Sequence, residues 1–186
     1  NEFKFDHAKG LAEWLKNSCD AYIREQTPDD EQLIVIRLTE DGKGRLKRIE
    51  CIDFVGMDKR QIDEAFKRFF DPEAAKRGEG GKLAAVKTLG GHGNGGKFYM
   101  RQMFRTSKAI TFRNGRLNVF GFNSKRQYGF DTDYTDREMA WEDAVREAEI
   151  EGLCAQEDIR AFLGDRISGF TVVRGEHPLK ARGTSK

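Results

Sequence analysis

Glycine and lysine, two residue types that can wrap an anion, are concentrated in one stretch near the middle of the chain. Five of the 20 glycines fall within seven positions, and a lysine follows them directly. Backbone without a Cβ lets an anion approach its N–H groups, and a helix behind such a loop adds its N-terminal dipole. We therefore predict a phosphate-binding loop, made of Gly90, Gly91, His92, Gly93, Asn94, Gly95, Gly96 and Lys97.

Two well-known nucleotide loops share parts of this pattern and lack others. Gly91, Gly96 and Lys97 have the P-loop spacing, but Phe98 stands where that loop needs a Ser or Thr for magnesium. The dinucleotide fingerprint needs an acidic residue about 20 positions later, and none occurs before Asp131. A flexible glycine linker is the remaining alternative, but linkers seldom end in Lys-Phe-Tyr-Met. A different kind of phosphate loop is therefore predicted.

The composition is that of a globular protein with a sizeable core. The chain has 186 residues, of which 38% are hydrophobic and 34% charged, and its formal net charge is +2. Such a small net charge does not require a nucleic-acid partner. We expect one domain, residues 1–186, that buries about 70% of its unfolded surface. The chain opens on Asn1 without an initiator Met, which predicts a domain excised from a longer protein.

Hydropathy and cysteine usage indicate the compartment. No apolar run approaches the roughly 20 residues of a membrane span, and no signal peptide is recognisable, so no membrane partner is expected. Cys19, Cys51 and Cys154 are odd in number, widely spaced and without CxxC pairs. This pattern is typical of a reducing compartment and argues against zinc. The predicted location is the cytoplasm, or the nucleus in a eukaryote.

The first predicted element is an amphipathic helix over residues 6–26, with Asp6 as its N-cap. Its apolar and small residues step at helical intervals, at Leu11, Leu15, Cys19, Tyr22 and Ile23. A second, polar stripe stacks along one side of the same helix, at Glu13, Asn17, Asp20 and Arg24. Such a stripe is ordinarily a solvated face, and it gains a role only where phosphate lies near it.

The remaining elements follow from periodicity and turn signals. We predict strands over residues 31–38, 45–53, 109–113, 116–122, 128–134 and 169–173, with hairpin turns at residues 41–44 and 114–115. Helices are predicted over residues 62–70, capped by Asp58, over 96–105, and over 136–163 as one helix or two broken at Gly152. Glycine-rich residues 71–90 predict a mobile segment, which we expect to act as a lid that orders on nucleotide because it leads into the phosphate loop; residues 176–186 predict a disordered tail.

Basic side chains run from Lys97 to Arg126 without an acidic residue between them. Basic residues beside aromatic ones are typical of nucleic-acid binding, but residues scattered over a helix and a hairpin are more often solvated. Nucleic acid therefore stays open as a partner. A nucleic-acid-binding domain without ATP would show strongly salt-dependent DNA binding and no nucleotide affinity.

Three stretches, in this order, resemble the motifs of one ATPase superfamily. They are Glu13-Trp-Leu-Lys-Asn17-Ser-Cys-Asp20-Ala21 on a helix, Asp53-Phe-Val-Gly56-Met57 after a strand, and Gly90 to Lys97 before a helix. Together they are similar to the GHKL ATPases, which share the Bergerat ATP-binding fold of DNA gyrase B, ninety-kilodalton heat-shock chaperones, MutL proteins and histidine kinases. The resemblance covers nearly the whole chain, and its glycine loop is most similar to the MutL and microrchidia branches.

The resemblance implies a fold, two ligands and a role for each matching residue. The fold would be an α/β (α+β) two-layer sandwich, with a mixed, mostly antiparallel sheet and helices on one face. ATP and Mg²⁺ would be bound, with Glu13 activating the attacking water and Asn17 holding magnesium. Asp53 would accept a hydrogen bond from the adenine amino group, Gly56 would let the base approach, and Met57 would pack on its face.

The same resemblance assigns the phosphates to the glycine loop. Its backbone would wrap them, through Gly90, Gly93, Gly95 and Gly96. Lys97 would lie on the terminal phosphate. Thr171 is similar to the threonine of the last strand that joins the adenine-binding water network, and Asp20, followed by Ala21, to an acid with a structural or adenine-side role.

The chemistry itself supports these assignments. Phosphoryl transfer to water needs a metal, cationic groups for developing negative charge, and one positioned base. Glu13 and Asn17 lie one helical turn apart, so they can place water and metal on the same side of a phosphate chain. Two departures concern the adenine end: Asp53 precedes Gly56 by three residues where the family has Asp-x-Gly-x-Gly, and Phe170 splits the usual Gly-Thr pair.

The predicted function is Mg-dependent ATP binding and hydrolysis that drives conformational change or dimerisation in a larger protein. Turnover would be slow in the isolated domain, and a nucleotide-dependent homodimer is the expected assembly of the full-length protein. Two alternatives remain open: a histidine-kinase-like domain that transfers phosphate to a partner His, and a nucleotide-gated binding module without turnover. The fold does not select what the ATP cycle drives.

Overall fold

The structure is a computed structural model that describes residues 7–67, 95–164 and 169–179, with residues 7, 64–67 and 95–98 described by their backbone alone. The helices are α1 (His7–Arg24), α2 (Lys59–Lys67), α3 (Gly95–Met103), α4 (Trp141–Glu147), α5 (Glu151–Cys154) and α6 (Glu157–Leu163). The strands are β1 (Ile34–Glu40), β2 (Leu46–Asp53), β3 (Phe104–Arg113), β4 (Arg116–Phe122), β5 (Tyr128–Phe130), β6 (Arg137–Glu138) and β7 (Gly169–Pro178).

The described strands form one antiparallel sheet in the order β1-β2-β7-β3-β4-β5, with β6 beside β4. β7, the last strand in the sequence, lies between β2 and β3 and so joins the two hairpins into one sheet. The predicted α+β sandwich with a mostly antiparallel sheet is confirmed. This strand order brings the end of β2, the start of β7 and the end of β3 side by side.

The two faces of the sheet carry separate cores, because successive strand residues point to opposite faces. On one face, α1, α2 and α3 pack on the sheet, in a core that includes Trp14, Cys51, Ile62, Met103 and Phe120. The other core includes Ile52, Ile110, Phe170, Ala144 and Ile150. The sequence predicted helices on one face; α1 to α3 lie there, and the short helices α4 to α6 cover the other.

Helix α1 is held by packing on both the sheet and α3. Trp14 and Tyr22 are each 2% exposed, and Gly10 lets α3 approach, since a Cβ there would lie 2.7 Å from the Met103 sulfur. The helix ends where Gln26 takes a φ of 53°, the left-handed conformation common after a helix C-terminus. The predicted cap residue, Asp6, lies outside the described residues.

Helix α2 begins with reciprocal capping bonds. The Gln61 backbone N–H donates to Asp58 Oδ1 at 2.8 Å, and the Asp58 N–H donates to Gln61 Oε1 at 2.9 Å. This is a capping box, and it confirms Asp58 as the predicted cap. The rest of the predicted helix, residues 68–70, lies outside the described part of the chain.

Three observed boundaries differ from the predicted ones because of strand pairing. α3 ends at Met103 because β3 begins at Phe104, which pairs with Pro178 of β7. The tail prediction was wrong for residues 176–178, since Glu176 lies opposite Thr106 within β7; residues 180–186 are outside the described residues. The strand predicted over residues 128–134 ends at Phe130, where a short 3₁₀ helix (Thr132–Tyr134) follows, and β6 was not predicted.

The predicted helix over residues 136–163 is three short helices, and Gly152 lies inside α5 rather than at a break. The first break has a tertiary cause at Glu149, whose φ is 57°. Arg174 Nη2 donates to the Ala148 carbonyl at 2.6 Å, and Arg37 Nη1 donates to the Glu149 carbonyl at 2.9 Å. These arginines, both bonded to buried Glu50, bind the carbonyls that follow α4, so the chain turns there.

Several predicted features fall on residues that the structure does not describe. They are the lid over residues 71–90 and the loop residues Gly90, Gly91, His92, Gly93 and Asn94. Within the described ranges, every helix is too short or too polar to cross a membrane.

Candidate functional site

Four polar side chains form a row across the sheet, on the face that α1 packs against. Asp53 lies opposite Thr171, Thr171 lies opposite Thr111, and Thr111 lies opposite Asn118. Directly opposed side chains of antiparallel strands project to the same face with Cβ atoms about 5 Å apart. All four are buried. Burying polar groups in a sheet centre is costly unless they are bonded, so this polar row is the candidate site.

The Asp53 carboxyl group is held by two donors. The Ser18 hydroxyl of α1 donates to Oδ2 at 2.7 Å, and the Val55 backbone N–H donates to Oδ1 at 3.2 Å. Burial raises the pKa of Asp53 to about 6, and the Ser18 hydrogen bond is the largest of the opposing causes that limit this rise. The carboxyl group is therefore fixed in orientation and changes its charge close to neutral pH.

The hydroxyls of Thr111 and Thr171 form a hydrogen-bonded pair between β3 and β7. Thr111 Oγ1 donates to the Phe170 carbonyl at 3.2 Å and accepts the Met57 backbone N–H at 2.7 Å. The two threonine hydroxyls are 3.1 Å apart, and either can donate to the other. A hydroxyl has one proton, so when Thr111 donates to Phe170, Thr171 donates to Thr111 and Thr171 Oγ1 offers lone pairs to a ligand. Together with ionised Asp53, it presents acceptors, which suit a ligand that carries an amino group.

Asn118 closes the row on β4. Its Oδ1 accepts the Asp136 backbone N–H at 2.8 Å, which anchors the chain just before β6. Its Nδ2 is buried and has no hydrogen-bond partner in the described part of the chain. The row therefore runs from a carboxyl acceptor at Asp53 to an uncommitted amide donor at Asn118.

Tyr22 fixes α1 over the ends of β1 and β2. Its hydroxyl donates to the Leu33 carbonyl at 2.6 Å and accepts the backbone N–H groups of Leu33, at 3.2 Å, and Phe54, at 3.0 Å. Burial raises the pKa of Tyr22, so it stays a neutral donor. Ser18 lies one helical turn before Tyr22, and this anchor places its hydroxyl at Asp53.

The loop after Asp53 depends on a backbone approach that only glycine allows. Gly56 has a φ of 77°, and a Cβ there would lie 2.1 Å from the Phe112 carbonyl oxygen. Gly169 is similarly enclosed, with its Cβ position 2.4 Å from the same oxygen and 2.7 Å from the Val55 carbonyl oxygen. The sequence suggested that Gly56 admits a base; the structure adds that Gly56 is needed for packing against β3. Met57 then reaches Thr111.

The predicted base, Glu13, and the predicted magnesium ligand, Asn17, lie on α1. Glu13 is partly exposed and Asn17 is exposed, one turn apart, and Asn17 directly precedes the Ser18 that bonds Asp53. Asp20 and Ala21, by contrast, are buried, so the polar stripe is not one solvated face. Asn17 is thus an exposed neighbour of Ser18 in α1, while Asp20 turns into the protein.

The predicted phosphate loop is described only at its end. Gly95 and Gly96 begin α3, and Lys97 follows in its first turn, but its side chain is outside the described set. Within that set, no group of three or more His, Cys, Asp and Glu side chains could hold a metal. A cation at Asn17 would therefore need phosphate oxygens and water as its other ligands, which is how Mg²⁺ is commonly bound. An exposed Asn carboxamide fits this chemistry.

Sequence reasoning missed Ser18, Tyr22, Thr111 and Asn118. Ser18 could have been singled out from the sequence, because it is a polar residue on the same side of α1 as buried Trp14 and Tyr22. Thr111 and Asn118 were harder to single out, since the only sign in the sequence is that each interrupts an apolar strand. A surface pocket of about 410 Å³ next to the β3–β4 turn contains none of the predicted site residues.

Comparison with known proteins adds no assignment. Neither the protein-family models nor the curated proteins contain a match to this chain.

Proposed function

We propose that this domain binds ATP with Mg²⁺ and hydrolyses the terminal phosphate, as its resemblance to the GHKL ATPases implies. The observation that supports this best is the arrangement of Ser18, Asp53 and Thr171. Ser18 donates to Asp53 at 2.7 Å, and Thr171 lies opposite Asp53 with its hydroxyl 3.1 Å from that of Thr111. A base edge with an amino donor, such as that of adenine, complements these acceptors.

Hydrolysis would be carried by α1 and the start of α3. Glu13 would accept a proton from a water molecule whose oxygen attacks the terminal phosphorus. The bond from that phosphorus to the bridging oxygen then breaks, releasing ADP and inorganic phosphate. Mg²⁺ held by Asn17 would neutralise charge on the phosphate oxygens. Lys97, in the first turn of α3, would add positive charge there.

We further propose a reducing compartment and a larger parent protein. The three cysteines are free thiols, which suits a reducing compartment such as the cytoplasm or a nucleus. The ATP cycle would drive conformational change or dimerisation of a larger protein. Nucleic acid remains a candidate partner, to be tested by salt-dependent binding.

The proposal is tested by titrating Mg-ATP and a non-hydrolysable analogue into the wild type and Glu13→Ala, with phosphate release followed in parallel. Binding by both proteins with turnover by the wild type alone is the expected result. Binding by both without any phosphate release would favour a binding module. Phosphate appearing on a histidine of an added partner would favour the kinase alternative.

A further inference from the structure

Arg113 and Glu25 form a forked ion pair beside the loop that follows Asp53. Arg113 Nη1 donates to Glu25 Oε1 and Nη2 donates to Glu25 Oε2, both at 2.8 Å. This bidentate geometry fixes the relative orientation of the two groups. The two side chains are 19% and 32% exposed, and the Arg113 guanidinium lowers the pKa of Glu25. The pair therefore joins the end of β3 to the end of α1.

The Glu25 carboxylate is electrostatically unfavourable at its position next to the C-terminus of α1. Glu25 directly follows α1, and its backbone N–H donates to the Ala21 carbonyl at 3.1 Å. A helix C-terminus carries partial negative charge, which disfavours a carboxylate there. Its bidentate partner Arg113 offsets this cost. Positions that break a local preference in favour of one tertiary contact are where a functional constraint is expected.

Arg113 also contacts the loop itself. Its Nη1 lies 3.4 Å from the Gly56 carbonyl oxygen and 3.5 Å from Gln61 Oε1. A Cβ built on Gly56 would lie 3.2 Å from Arg113 Cβ, so the stem of the arginine lies against this glycine. Gln61 in turn closes the capping box with Asp58. One guanidinium thus links α1, the loop and the start of α2.

We propose that Glu25 and Arg113 are positioning residues that hold the loop of residues 54–57 in the shape that presents Asp53 and Met57 to the base of a bound nucleotide. This inference rests on the proposed function. Neither residue contacts the nucleotide. Both act through the Gly56 carbonyl and the start of α2, so they affect the base end of the ligand and not its phosphates.

The test uses Arg113→Gln and the near-isosteric Glu25→Gln, with Arg116→Gln as the matched control. Arg116 lies on the same hairpin and pairs with exposed Asp136 and Glu138. Dissociation constants are measured for ATP, adenosine and inorganic triphosphate. We would also measure phosphate release at saturating ATP. Amide hydrogen exchange of residues 56–58 is measured without nucleotide.

We expect Arg113→Gln and Glu25→Gln each to weaken the binding of ATP and adenosine about tenfold, or about 1.4 kcal/mol, with triphosphate binding and the saturated rate unchanged. Amide exchange of residues 56–58 should become faster, and the Arg116 variant should match the wild type. Arg113→Lys should recover part of the loss, because lysine keeps the charge without the fork.

Equal weakening of ATP binding and of triphosphate binding would overturn the proposal, because the Glu25–Arg113 ion pair would then act on the whole fold. Wild-type affinity in a folded Glu25→Gln variant with unchanged amide exchange would overturn it too, and would leave the proposed function standing. A wild type that binds neither ATP nor adenosine would remove the proposed function and this inference together.

Discussion

Asp53 and Thr171 lie directly opposite each other across β2 and β7, although they are far apart in the sequence. The insertion of β7 between the two hairpins produces this pairing. It places a buried carboxyl group beside a hydroxyl that lies 3.1 Å from the Thr111 hydroxyl. The composition of this part of the candidate site is therefore set by strand register, and α1 adds Ser18 as the third member.

Replacing Asp53 with Asn should change how stability depends on pH. Burial raises the pKa of Asp53 from 3.8 to about 6, so the folded state holds this proton more tightly than the unfolded state. The free energy of unfolding then falls as pH rises from about 4 to about 6. Above that range the loss is complete, at about 2–3 kcal/mol. Urea unfolding across pH 4–8 should show the wild type losing stability relative to Asp53→Asn; parallel curves would contradict the assignment.

Removing the Ser18 hydroxyl should raise the pKa of Asp53 further. The Ser18 hydrogen bond is the largest cause that lowers it. A carbon NMR titration of the Asp53 carboxyl group in Ser18→Ala should give a midpoint above that of the wild type. Ser107→Ala is the control, because Ser107 is also a buried serine but donates to the Met100 carbonyl. A shift of equal size in both variants would show that the effect is not local.

Adding a methyl group at Gly56 should destabilise the fold. Its φ is 77° and the new Cβ would lie 2.1 Å from the Phe112 carbonyl oxygen, so we expect Gly56→Ala to lose about 2 kcal/mol or more. Gly152→Ala is the contrast, since Gly152 is exposed within α5 with open space around it. That change should stabilise by about 0.5–1 kcal/mol. Chemical denaturation measures both, and equal effects would contradict the strain argument.

Breaking the buried ion pair on the opposite face should cost stability without altering nucleotide affinity. Arg174 and Glu50 are both fully buried and joined at 2.6 Å, so Arg174→Met leaves a buried carboxylate with a single partner arginine. We expect a loss of about 3–5 kcal/mol. Arg146→Gln, which breaks an exposed pair with Asp143, should cost under about 0.5 kcal/mol. A small loss for Arg174→Met in urea unfolding would contradict this view of the network.

The sequence predicted elements well where local signals decide them. The β3–β4 hairpin was predicted from Asn114-Gly115, whose φ angles of 52° and 74° are those of the expected turn. The breaks between α4, α5 and α6 were predicted wrongly, because carbonyl contacts from Arg174 and Arg37 decide the first of them. The length of β7 was also missed, since it depends on pairing with two distant strands.

For the candidate site, the sequence predicted Asp53 and Thr171 but not the residues that orient them. Ser18 and Tyr22 form hydrogen bonds between α1 and the end of β2. The distance between these elements is set by tertiary packing. Thr111 became relevant only through the register of β3 against β7. Pairing between distant strands has no signal in a single sequence, so such partners are visible only in the structure.

The most direct test of the central claim is calorimetric titration of Mg-ATP into the wild type and Asp53→Asn at pH 7.5, where Asp53 is ionised. The amide can still bond Ser18 and Val55, so the variant should remain folded, as thermal unfolding would verify. We predict that the wild type binds and that the variant binds at least about thirtyfold more weakly, because it loses one charge-assisted hydrogen bond. Equal affinity in both proteins, or no binding by the wild type, would contradict it.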